Sequence, residues 1–184
     1  MRARIVRSRG KEHHEALTSH EVRAGLRNAS PREISTLALP RGFDSLRFDR
    51  LDYLGWRDPR ARHRGYLFTQ TERGPVGLIL TAAAQTAGTR NRAVMCGLCQ
   101  VPQRFDQVSL FTAPTSSIRS GKGFGNGVGA YLCSELNCVD LVWQTPVSGP
   151  LDPPAEEIIA RRREALGQRA RRFVGEVLGQ SLAA

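Results

Sequence analysis

Lysine is almost missing from this sequence: 2 lysines stand against 25 arginines in 184 residues. The imbalance reads as a coding-composition bias spread along the chain. The formal net charge of +10 therefore points to an acidic partner (nucleic acid, a ribonucleoprotein or an acidic protein) without choosing among them. Five positive charges, Arg2, Arg4, Arg7, Arg9 and Lys11, fall within the first eleven residues. Residues 1–16 are expected to be a basic disordered arm or an extension upstream of the natural start. Long apolar runs are missing too. The longest mostly apolar stretch, Val76 to Ala84, falls far short of the roughly 20 residues that cross a bilayer. Charged residues also stand where a secretory signal needs its apolar segment. A soluble cytoplasmic protein is the expectation, and with 40% hydrophobic and 24% charged residues it should be globular.

Active-site signatures are missing as well. No Gly-x-Ser-x-Gly elbow precedes a suitable base, and no carboxylate pair stands out. Gly121, Gly123, Gly125, Gly127 and Gly129 do not space as a dinucleotide fingerprint. Gly121-Lys122 is followed by Gly123 where a phosphate loop needs Ser or Thr. His13, His14, His20 and His63 are too scattered for a second metal site. Asp49, Asp52 and Asp58, near Arg50 and Arg57, read as surface ion pairs. The chain is expected not to be an enzyme.

Cysteine is scarce but patterned: the four residues form two close pairs, Cys96-Gly-Leu-Cys99 and Cys133-Ser-Glu-Leu-Asn-Cys138. Two halves of this kind match a tetrahedral zinc site, in which one tight turn supplies two sulfurs at about 2.3 Å from the ion. Gly97 is expected to let the backbone fold around the metal. Disulfides would need an oxidising compartment, and a redox dithiol would leave the second pair unexplained. With four protein ligands no position stays open for water, so one structural zinc ion is expected.

The remaining elements read as α+β. Thr18 with Glu21, and Ser30 with Pro31 and Glu33, open two short helices, the second expected to run to Pro40 and Gly42. Val22 and Leu26 share a face. Leu51–Trp56, Tyr66–Thr69 and Val76–Leu80 read as strands, the last two joined by a turn through Gly74. Val108–Thr112 and Tyr131-Leu132 are two more strands, separated by a small-residue loop over 113–129. A helical turn at Ser134–Asn137 should bring Cys138 to the metal. A treble-clef finger over residues 94–143 is thus expected, within a single domain over 17–180. Beyond Pro153-Pro154 a helix over about 153–180 carries an apolar stripe of Ile158, Ile159, Leu166, Phe173, Val174, Val177 and Leu178. Arg161, Arg162, Arg163, Arg169, Arg171 and Arg172 fill the rest, as a solvated face or a basic surface.

The order Leu51-Asp-Tyr-Leu-Gly-Trp-Arg-Asp-Pro59, hairpin, Met95-Cys96-Gly-Leu-Cys99, Val108-Ser-Leu-Phe111, glycine-rich loop and Gly129-Ala-Tyr-Leu-Cys133 with Cys138 resembles one family. It is similar to the C-terminal treble-clef domain of the elongation factor G-binding proteins of the fusidic-acid-resistance type, also labelled a fibronectin-binding protein domain. The likeness covers roughly Leu17 to Leu178. It implies zinc on Cys96, Cys99, Cys133 and Cys138, and a protein that grips elongation factor G and promotes its departure from the ribosome. The family's partner surface is aromatic and basic. Tyr131 is the best-placed match, and Phe105, Arg119, Lys122 and Phe124 are candidates by proximity. Resistance proteins carry a helical bundle before this domain, where here only a short segment stands, so fusidic acid resistance itself does not follow. The alternative is a zinc-finger protein binding ribosomal RNA through Arg161, Arg162 and Arg163.

Overall fold

The computed structural model describes residues 17–46, 51–71, 74–84, 93–115, 127–147 and 149–182. The basic segment 1–16, Asp49 and Arg50, and the glycines at 121, 123 and 125 lie outside them. Helix α1 (Ser19–Gly25) begins with the expected reciprocal cap: Glu21 N–H donates to Thr18 Oγ1 (3.2 Å) and Thr18 N–H to the Glu21 carboxylate (2.7 Å). Helix α2 (Pro31–Ser35) repeats it with Ser30 and Glu33. This helix stops well before Pro40. Thr36 closes it, its N–H and its hydroxyl both donating to the Arg32 carbonyl (3.1 and 2.8 Å).

Strands β1 (Leu54–Arg57), β2 (Arg64–Thr71), β3 (Gly74–Ala82), β6 (Val108–Pro114) and β7 (Gly127–Cys133) form one antiparallel sheet in the order β1-β2-β3-β6-β7. A small hairpin, β4 (Ala93–Met95) and β5 (Pro102–Arg104), is inserted between β3 and β6. The β2–β3 turn closes at Gly74, whose φ of +99° suits glycine. Strand β1 starts three residues later than Leu51, and β6 and β7 each run further into the small-residue segment than the sequence indicates. The glycines of β7 pair in register with residues of β6, Gly129 with Thr112 and Gly127 with Pro114.

Both faces of β2 and β3 are covered. Tyr66, Phe68 and Ile79 point into a cluster with Val22, Leu26, Leu37, Phe43 and Trp56 under the N-terminal helices. Leu67, Leu78 and Leu80 point into the larger cluster with Phe111, Leu132 and the inner side of helix α4 (Ala155–Leu178). That two-sided burial explains why β2 and β3 read as nearly continuous apolar runs. In α4 the apolar stripe is buried through Leu166, Ala170, Phe173, Val174 and Val177, while Ile158 and Ile159 stay half-exposed. Among the described residues no helix is long and apolar enough to cross a membrane.

Two readings of polar residues need correction. Asp58 is no surface partner: it is 4% exposed, accepts from Tyr66 Oη (2.8 Å) and caps the turn through the N–H groups of Arg60 and Ala61. Asp52 faces Arg163 of α4 across 3.1 Å.

Candidate metal centre

The first pair of thiols sits in the turn between β4 and β5, and the second brackets the passage from β7 to helix α3 (Cys138–Val142). All four are buried and free of disulfides. Their sulfurs lie within 4.8 Å of one another, with Cys96 to Cys138 at 3.5 Å and Cys99 to Cys133 at 3.7 Å. Four sulfurs placed tetrahedrally about 2.3 Å from one ion would be about 3.8 Å apart, whereas a disulfide needs about 2.05 Å. The donor set therefore fits one structural zinc ion, with all four positions filled by protein. Four buried sulfurs this close cannot all carry negative charge without a cation among them. A central dication removes that conflict, because each sulfur binds it as thiolate.

Gly97 is not the residue that bends the backbone. Its φ is ordinary, and its N–H donates to the Tyr131 carbonyl (2.7 Å), tying the knuckle to β7. The left-handed conformations fall instead on Gln100 (φ 56°), just after Cys99, and on Leu136 (φ 57°), two residues before Cys138. Nor is 134–137 a helical turn: Leu136 reverses the chain there, and α3 starts at Cys138 itself.

Leu136 can hold that conformation because of a residue the sequence did not single out. Tyr53, 2% exposed, donates its hydroxyl to the Leu136 carbonyl (2.6 Å) and accepts from Cys138 N–H (3.2 Å). Burial first and the adjacent Cys138 next push its phenol well above the ordinary range, so it is present as the neutral donor. Gly55 makes room: a Cβ there would stand 2.5 Å from the Tyr53 ring and 2.9 Å from the Leu136 carbonyl oxygen. No spacing rule could find Tyr53, whose two partners lie 83 and 85 residues away.

Helix α4 secures the other half of the centre. Arg169 donates Nε–H to the carbonyl of Leu98 inside the knuckle. Arg163 spans Asp52 and the face of Trp143, with its guanidinium carbon 4.3 Å from the ring centroid. Arg161 pairs with Glu157 one turn away. The arginine-rich helix is thus neither wholly solvated nor wholly free for phosphate.

Of the expected partner residues, Tyr131 lies on β7 beside the knuckle and is 50% exposed. Phe105 is half-buried in a short 3-10 turn before β6. Arg119, Lys122 and Phe124 lie outside the described residues. Met95, immediately before Cys96, is 57% exposed and joins Tyr131 as a large apolar side chain at the surface, a role its place in the cysteine motif does not signal.

A knuckle, a β-hairpin and a helix that each contribute to one four-sulfur centre define a treble-clef zinc-finger protein. The model of a protein family described as the FBP C-terminal treble-clef zinc-finger matches residues 21–177. The chain belongs to that family. In a direct comparison with curated proteins nothing matched.

Proposed function

We propose that this protein is a non-enzymatic, cytoplasmic docking factor that binds translation elongation factor G and promotes its release from the ribosome. The observation that carries the reading is the exposed pair Met95 and Tyr131 on elements clamped by the zinc centre. An exposed aromatic and an exposed methionine held on a rigid, closed metal scaffold are what a protein-binding surface requires. The resemblance of the flanking motifs to elongation factor G-binding proteins supplies the partner. A coordinatively closed zinc offers no position to activate water, which supports a binding role over a catalytic one. A direct grip on ribosomal RNA through Arg161, Arg162 and Arg163 is less well supported. Arg163, the one of the three that packs inward, is engaged by Asp52 and Trp143, and Arg161 pairs with Glu157 at the surface.

The test is a mixture of the purified chain and purified elongation factor G, with a ribosome pull-down run with and without RNase. The proposal expects a near-equimolar complex that survives RNase and is weakened at least about tenfold by Tyr131→Ala, as for an interface anchor. Absence of association at low salt rejects it. Retention that depends wholly on RNA and falls steeply with salt would support the RNA reading instead. If the release activity follows, cells carrying the chain should tolerate more fusidic acid than cells carrying Tyr131→Ala.

A further inference from the structure

Strand β7 is the last strand of the sheet, and its outer edge is partly used already. The Gly97 N–H takes the Tyr131 carbonyl from that side. Peptide groups in an antiparallel strand alternate between the two sides. The Tyr131 carbonyl faces away from β6, so the N–H and C=O of Gly129 and Gly127 face away from it too. The register agrees. Pro114, which has no N–H to give, stands opposite Gly127, and the Leu110 carbonyl, opposite Tyr131, is taken by Ala83 N–H (2.8 Å) on the β3 side. Among the described residues nothing pairs with the outward groups of Gly127 and Gly129, and both residues are exposed.

Protein edges of this kind are normally blunted by charge, proline or a bulge. From Gly127 to Cys133 this strand has none: it carries no charged residue or proline, and its pairing with β6 is continuous over seven residues. We infer that the outer edge of β7 is a strand-addition site, where an extended segment of the protein partner pairs with Gly129 and Gly127 while its side chains rest against Tyr131. This rests on the elongation factor reading above and names how the partner is held. Tyr131 gives the added strand an aromatic cross-strand neighbour, and main-chain pairing supplies affinity. The chain's net charge of +10 favours a segment with acidic flanks over a second copy of the chain.

The experiment measures hydrogen–deuterium exchange of segment 127–131 in the full zinc-loaded chain, alone and with purified elongation factor G. Affinities of Gly129→Pro and Gly129→Ala are measured beside it. Gly129→Pro removes an N–H that points away from β6, so no β6 ladder bond loses its donor. Gly129→Ala keeps that N–H, and its Cβ would meet Thr112 at an ordinary 3.5 Å. Expected are slower exchange at Gly129 in the complex, a loss of affinity of about tenfold for the proline variant, and near-unchanged affinity for alanine. If Gly129→Pro misfolds, as melting and zinc content will show, the exchange data decide alone. A complex that leaves Gly129 exchange unchanged overturns this inference and spares the function; no complex at all overturns both. Protection of 127–131 in the free chain that rises with its own concentration would assign the edge to a second copy and also overturn it.

Discussion

Tyr53 bears on the metal without touching it. Its hydroxyl joins the Leu136 carbonyl to the Cys138 N–H, so it fixes both the reversal before the last ligand and the first turn of α3. Removing it leaves two buried peptide groups unpaired, which costs about 1–3 kcal/mol for each orphaned group. Tyr53→Phe should therefore lower the melting temperature and speed zinc loss to a competing chelator, without changing zinc stoichiometry. An equal melt and an equal transfer rate would remove Tyr53 from the metal's support. The two left-handed residues differ in their exits. Gln100 is exposed, its N–H donates to the Cys96 carbonyl (2.9 Å), and as a residue with a Cβ it bears a left-handed penalty of about 1–2 kcal/mol. Gln100→Gly should match or exceed the native stability, and Gln100→Val should fall below it, both read by denaturant midpoint. Tyr66 offers a pH test. Burial first and Asp58 next raise its phenol to about 12, above the ordinary value of about 10. A raised pKa means the fold favours the protonated form. That contribution is whole below about pH 10 and disappears as pH rises through 12. Alkaline unfolding and Tyr66 ionisation should coincide in a phenolate titration, and a phenolate that forms before the fold melts would contradict the buried Tyr66–Asp58 bond.

Helix α4 shows why an amphipathic pattern under-describes an element. Its apolar stripe was legible, because Leu166, Phe173, Val174 and Val177 recur at helical spacing and are buried. Its arginines were not, because Arg169 meets Leu98 and Arg163 meets Asp52 over 71 and 111 residues of sequence. Only the tertiary arrangement decides which cations turn inward. Arg169→Met keeps the alkyl packing and deletes the donor, leaving the buried Leu98 carbonyl unpaired at a cost of about 1–3 kcal/mol. It should destabilise the knuckle and hasten zinc release, while Arg172→Met, on an exposed position, should do neither. The same distinction runs through the candidate site. The four thiols were readable because zinc demands close ligand pairs, a local constraint. Helix caps at Thr18 and Ser30 were readable for the same reason. Leu136, Gln100 and the ends of β6 and β7 were not. Non-glycine residues in left-handed conformations, and glycine strands that pair by register alone, leave no mark on composition.

At the scale of the molecule, the sheet makes the two hydrophobic clusters inseparable. Strands β2 and β3 give alternate side chains to each: Leu67, Leu78 and Leu80 lie toward the metal side, and Tyr66, Phe68 and Ile79 under the N-terminal helices. All four cysteines belong to the first cluster. Structural zinc contributes on the order of 10 kcal/mol to folding, comparable with the 5–15 kcal/mol of a whole domain. Losing it should therefore unfold more than the knuckle. The two tryptophans sit where they can report this. Trp56 stacks on Tyr66 (4.9 Å) and Phe68 (5.6 Å) in the N-terminal cluster, and Trp143 caps α3 beneath Arg163. In Trp143→Phe, chelator titration should collapse Trp56 fluorescence at the same zinc activity at which Trp56→Phe loses its Trp143 signal. Cys99→Ser should show neither signal and no cooperative melt. If Trp56 kept its native emission after Trp143 had lost its own, the N-terminal layer would fold without zinc, and the metal would hold only the local platform.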